Sequence, residues 1–123
     1  MAKLVRAAIL DLALNQIKNN SNRMVVCSAQ PTTYAEITTY KLAEVAMAAG
    51  DYTLAAGDTS GRKATTGAKT GIAIATSGTA THIALGDSVG SFLDLVTTCT
   101  SQALNTGGTV DVPAWKYEIN NPT

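Results

Sequence analysis

From about Lys63 to Ile119 the chain is a run of short β-forming segments separated by glycine turns, and this pattern restricts the fold more than any other feature. Thr, Ala, Val and Ile dominate the region and charges are sparse. It can build a small antiparallel sheet but supplies little for acid–base, nucleophilic or metal chemistry. Thr70–Thr76 reads as a strand with Ile72 and Ile74 on one face, Ser77-Gly78 as a hairpin turn, and Thr79–Leu85 as the returning strand. Residues 86–90 turn again, Phe92–Leu104 is a long strand, and residues 105–108 lead into a last strand, Thr109–Ile119. Val110 and Val112 share a face before Pro113, whereas Trp115, Tyr117 and Ile119 share a face of opposite parity after it. A proline at a change of phase predicts a β-bulge on an edge strand, which lets both apolar sets face one core.

Ahead of this region lies one strong helix, Ala2–Asn20, rich in Leu and Ala, free of Gly and Pro, and closed by a polar Asn19–Asn22 run. Asp11, Asn15 and Lys18 fall at i, i+4 and i+7 and share one narrow polar stripe. Val5, Ile9, Leu10, Leu12, Leu14 and Ile17 make most of the remaining circumference apolar, wider than one sheet requires. A helix apolar on most sides is buried on most sides. The expectation is that one flank packs on the sheet and the other on another subunit. The alternative is a helix tucked under a loop of its own chain.

Arg23–Ser28 follows, and its Met24–Cys27 run fits a central strand covered on both faces. After Pro31, Thr32 or Thr33 is placed to cap a short helix or turn, with Glu36 closing a box on Thr33 and Tyr34 inserting as an anchor. Thr39–Ala49 has both helix propensity and strand alternation, and its β surroundings favour strand. Asp51–Leu54 resembles a further strand, and Ala55–Arg62 a flexible loop. The fold class expected is mainly β: a small antiparallel β-sandwich or flattened barrel with an N-terminal α-helix. It forms a single domain over 1–123, with the helix at 2–20 and antiparallel β over 23–119.

The 123 residues are enough for a core without staples. Only 15% are charged, against about 25% in ordinary globular chains. A weakly charged, Thr/Ala-rich surface favours a protein packed against other copies or another protein. Nine basic and nine acidic residues cancel, so no global field attracts nucleic acid or anionic lipid. The apolar stretch after Lys3 is broken by Arg6 and Asp11, and fits neither a signal peptide nor a membrane span.

Cys27 and Cys99 are too few and too far apart for a metal-site spacing or a disulfide framework. Synthesis in a reducing cytoplasm with both thiols buried and free is the simplest picture, with a bridge formed later outside the cell as the alternative. His82, the single histidine, reads as a strand residue hydrogen-bonded in or beside the sheet. The Gly57–Lys63 segment lacks phosphate-loop spacing and reads as a solvent loop, or as a contact loop in which Asp58 and Arg62 meet a partner. No catalytic residue, cofactor or metal ligand is expected.

The ordered set of motifs is similar to a known pattern. An amphipathic N-terminal helix leads to Val26-Cys27-Ser28 and Pro31-Thr32-Thr33-Tyr34-Ala35-Glu36. The Gly57–Lys63 loop, Gly78–Leu85 and Val110-Asp111-Val112-Pro113-Ala114 follow. This order resembles small accessory virion proteins encoded among the structural genes of tailed bacteriophages; the Tyr40–Gly50 stretch has no clear place in it. The resemblance implies a non-enzymatic protein on the particle, assembled in the host cytoplasm. The place it implies is the outer capsid surface, as a decoration or cement protein binding the major capsid protein or another virion protein. It implies a homo-oligomer, with a trimer favoured. Interface candidates are Val5, Ile9, Leu10, Leu12, Leu14, Ile17, Tyr34, Asp58 and Arg62. A tail or tail-fibre attachment component is the runner-up, and a carbohydrate-binding β module built around Trp115 is a third reading.

Overall fold

The computed structural model describes residues 4–122. The chain is mainly β, with antiparallel sheets and an N-terminal helix. Helix α1 (Ala7–Asn20) leads into β1 (Arg23–Cys27), α2 (Tyr34–Thr39) and β2 (Lys41–Ala46). A 3₁₀ turn (Ala49–Asp51) then precedes β3 (Tyr52–Ala56), β4 (Arg62–Thr66) and β5 (Lys69–Ala73). The chain closes with β6 (Gly78–Asp87), β7 (Phe92–Leu104), β8 (Thr109–Val112) and β9 (Lys116–Ile119).

One sheet is four-stranded in the order β2-β1-β6-β7; opposite it lie a three-stranded β3-β4-β9 sheet and a β5-β8 pair. Met24, Val26, Ile83 and Leu85 from the larger sheet meet Tyr52, Ile72, Ile74, Val110 and Val112 from the smaller ones in the main core. The outer face of the large sheet carries Val25, Cys27 and Ala84, covered by Ile37 of α2. β1 is therefore buried on both faces, as its unbroken apolar run predicts. Thr33 caps α2 by accepting from the Glu36 amide at 3.3 Å. The Glu36 carboxylate does not return to Thr33; it accepts from the amide and hydroxyl of Thr32.

Four expectations need correction. The helix begins at Ala7 rather than Ala2: Leu4–Arg6 are outside it, and Ala2 and Lys3 lie outside the described residues. Arg6 sits at the N-cap with no side-chain acceptor for the free amides, and its cation opposes the positive helix end. Arg62–Thr66, expected as loop end and unassigned chain, is a full strand between β3 and β9.

The Ser77-Gly78 turn does not make a hairpin. β5 pairs with β8, and β6 belongs to the other sheet. Apolar alternation states which face is buried, not which strand lies alongside. The two crossings between layers, at residues 77–78 and 105–108, run together: Ser77 Oγ lies 3.0 Å from Thr106 Oγ1 and accepts from the Thr106 amide at 2.9 Å.

The predicted last strand is two strands in two sheets, with exposed Pro113 at the jump rather than in a bulge. The change of phase is real. Val110 and Val112 on one side, and Trp115 and Tyr117 on the other, all pack on the same core.

Candidate assembly surface

Helix α1 is docked by its polar stripe. Asp11 accepts from Arg62 Nε at 2.8 Å, tying the helix to β4. Lys18 Nζ donates to the carbonyls of Ala49 and Tyr52, both at 2.8 Å, and the Tyr52 hydroxyl donates to the Ser21 carbonyl at 2.8 Å. Leu10 and Leu14 are buried beside these contacts, and Ile17 is half-buried against the main core. The stripe and the buried leucines thus occupy one side. Ala8, Ile9, Leu12 and Ala13 lie on the other side, exposed, at i, i+1, i+4 and i+5. Ile9 is 50% and Leu12 68% exposed, and Leu4 just ahead of the helix is 83% exposed. No loop of the described chain covers this flank. Among the helix candidates, Ile9 and Leu12 face outward, Val5 is half-buried, and Leu10 and Leu14 are committed to the chain's own interior.

The other interface candidates serve internal contacts. Tyr34 is half-buried; its hydroxyl accepts from Arg23 at 3.0 Å and its ring lies under that guanidinium at 5.4 Å. Arg23 in turn grips Glu44 through two hydrogen bonds, at 2.7 and 2.9 Å. Those bonds, the largest influence on it, hold the Glu44 carboxyl below the usual carboxylate range against the opposing effect of burial. Arg62 does not reach outward, because Asp11 holds it. Asp58 is exposed but engaged by Lys63 at 2.6 Å and by Lys116. The loop 57–61 is closed on itself by a Gly57 amide to Gly61 carbonyl bond of 3.0 Å, and Gly61 has the positive φ of 67° that such a tight return requires.

A second feature is a cavity of about 320 Å³ between β7 and the β8–β9 segment. Cys99 and Gln102 line one wall, and Val112, Pro113 and Trp115 the other. Thr66 anchors this second wall, exchanging backbone and hydroxyl hydrogen bonds with Trp115 at 2.8 and 3.2 Å. Among the described residues, the Trp115 indole Nε1 and the Tyr117 hydroxyl are buried with no hydrogen-bond partner. Burial raises the Tyr117 hydroxyl well above its ordinary value. Cys27 is buried, and desolvation pushes its thiol up to about 11. Cys99 was expected to be buried as well, yet it is only half-buried and opens onto the cavity; burial raises its thiol too. Both cysteines are free.

No protein-family model, curated protein or solved structure matches the chain. The surface must therefore be read from its chemistry. His82, through Nδ1, is 2.8 Å from the Thr81 hydroxyl, in the strand position expected for it. Among the described residues no three His, Cys, Asp or Glu side chains stand close enough to hold a metal ion. No helix among them is long and apolar enough to cross a membrane. Sequence reasoning missed the cavity, because its two walls come from strands whose partners the alternation did not reveal. It also missed the inward role of Asp11 and Lys18, since a polar helical stripe ordinarily faces water.

Proposed function

We propose that this chain is a non-enzymatic structural subunit of a virion, and that it decorates the outer surface of a tailed-phage capsid, bound to the major capsid protein and to its own copies. What supports the reading is the outward apolar flank of α1, together with the motif order described above. Isolated exposed leucines are ordinary on protein surfaces. Here Leu4, Ile9 and Leu12 are exposed together while Asp11 and Lys18 of the same helix turn inward. Covering each such side chain completely is worth roughly 1.5–3 kcal/mol gross. Repeated over a symmetric shell, that term adds to the cohesion of the particle.

Stoichiometry of purified virions tests this. Copy numbers in the hundreds, comparable to the major capsid protein, support decoration. A few to tens of copies support a tail or tail-fibre component, and absence from the particle ends both. Ile9→Glu with Leu12→Glu should abolish incorporation while leaving the circular dichroism of the isolated protein unchanged.

A carbohydrate-binding module is the second reading, favoured by the cavity beside Trp115 and its unpartnered indole N–H. A specific glycan-array signal lost in Trp115→Ala would carry it over the structural one.

A further inference from the structure

We propose that a second copy of this chain pairs antiparallel with the outer edge of β7, about a two-fold axis, joining two four-stranded sheets into one. β7 is a 13-residue strand whose only ladder partner among the described residues is β6. No other backbone–backbone hydrogen bond among the described residues reaches Phe92–Leu104. About half the backbone donors and acceptors of an edge strand point away from its neighbour, so β7 offers a long row of them to solvent.

Edge strands are normally protected from such pairing by Lys, Pro or other charges. β7 has none of these from Leu95 to Leu104. The β6–β7 ladder slips twice, between Ala80 and His82 and between Leu85 and Gly86, and such bulges bend an edge strand, but they add no charge to the stretch from Leu95 to Leu104. Its one charged residue, Asp94, accepts a hydrogen bond from the Ser21 hydroxyl.

Charge and parity select the occupant. A charged foreign strand would lose hydration along this edge and find no counter-charge. A second β7 is neutral over the same length. The longest self-pairing puts the axis at Thr98, the strand's midpoint, which sets Asp94 opposite Gln102 and brings no like charges together. Threonines then meet near the axis, a favourable cross-strand combination. Leu85 pairs with Leu95 and Ile83 with Thr97, so Leu95 and Thr97 face the core side of the sheet. A strand added in register carries the same core-facing residues past the mouth of the cavity lined by Cys99 and Trp115. The partner thus supplies both a hydrogen-bond ladder and a cover for half-buried apolar surface.

The pairing rests on the edge chemistry and not on the virion reading. A monomer in solution would sink it without touching the copy number in particles.

The test uses the purified full chain in sedimentation equilibrium up to about millimolar concentration, the weak end of specific association. Wild type should dimerise. Thr98→Lys with Thr100→Lys should be monomeric, and so should Thr98→Glu with Thr100→Glu. An equimolar mixture of the two variants should dimerise again, because opposite charges then face each other. That rescue separates loss of pairing from loss of folding. A wild type that stays monomeric throughout overturns the proposal. So does an oligomer that both double variants leave intact, or one that Leu12→Lys dissolves in their place.

Discussion

β2 and β7 both border the four-stranded sheet, and they are built on opposite principles. β2 is six residues long, carries Lys41 and Glu44, and is stapled. The Leu42 carbonyl accepts from the amides of Ala75 and Thr76, and an isolated bridge joins Ala43 to Ile74. β7 is more than twice as long, nearly uncharged, and bare on its outer side. An edge that carries charge and is covered by its own chain resists foreign strands. An edge left long, neutral and open is a ready template for pairing with another strand. One sheet thus closes itself on one side and stays unfinished on the other. The same division runs through α1, whose Lys18 and Asp11 bind the chain's own carbonyls and the Arg62 guanidinium while its apolar flank faces out.

Truncating a core side chain at each border should give the largest contrast. Leu42→Ala, at a fully packed site, should cost about 2–5 kcal/mol in urea unfolding. Leu95→Ala, half-buried on β7, should cost about 1–2 kcal/mol. Equal losses would mean that β7 is as enclosed as β2, and the contrast would fail.

Glu44→Gln should cost about 1–3 kcal/mol by leaving the Arg23 guanidinium, only 13% exposed, without its carboxylate. Its pH signature sharpens the test. Glu44 is held below the usual carboxylate range in the folded chain, so its contribution is complete above the unfolded value, about 4.3. It is lost as pH falls through the depressed folded value. Wild type should therefore lose stability on acidification below about pH 4 more steeply than Glu44→Gln, as read by unfolding at a series of pH values.

Thiol labelling follows in size. At about pH 8 an aromatic disulfide reagent should modify half-buried Cys99 first, and Cys27 only on unfolding, because burial raises the Cys27 thiol to about 11 and excludes the reagent. Simultaneous modification would mean that β1 is not the protected centre. The smallest effect belongs to the open edge: Thr100→Lys should change the stability of dilute monomer by no more than about 0.5 kcal/mol. A larger loss would show that the chain already covers β7 by itself.

Much of this was legible in the residues. The Met24–Cys27 run fitted a strand covered on both faces, and the Thr33 spacing fitted the start of a short helix or turn. The change of phase across Pro113 put Val110, Val112, Trp115 and Tyr117 on one core, although Ile119, expected on the same face, does not pack there. These are local matters, decided by periodicity and by backbone chemistry within a few residues. Partner choice is not local. Ile72 would pair as readily with Thr79–Leu85 as with β8, and only the closing of two layers over one core selected β8. For the same reason a helix with an apolar circumference and a polar stripe did not reveal which side it would turn inward. That orientation followed from where Arg62 and the carbonyls of Ala49 and Tyr52 came to rest, and those positions exist only once the sheets have assembled.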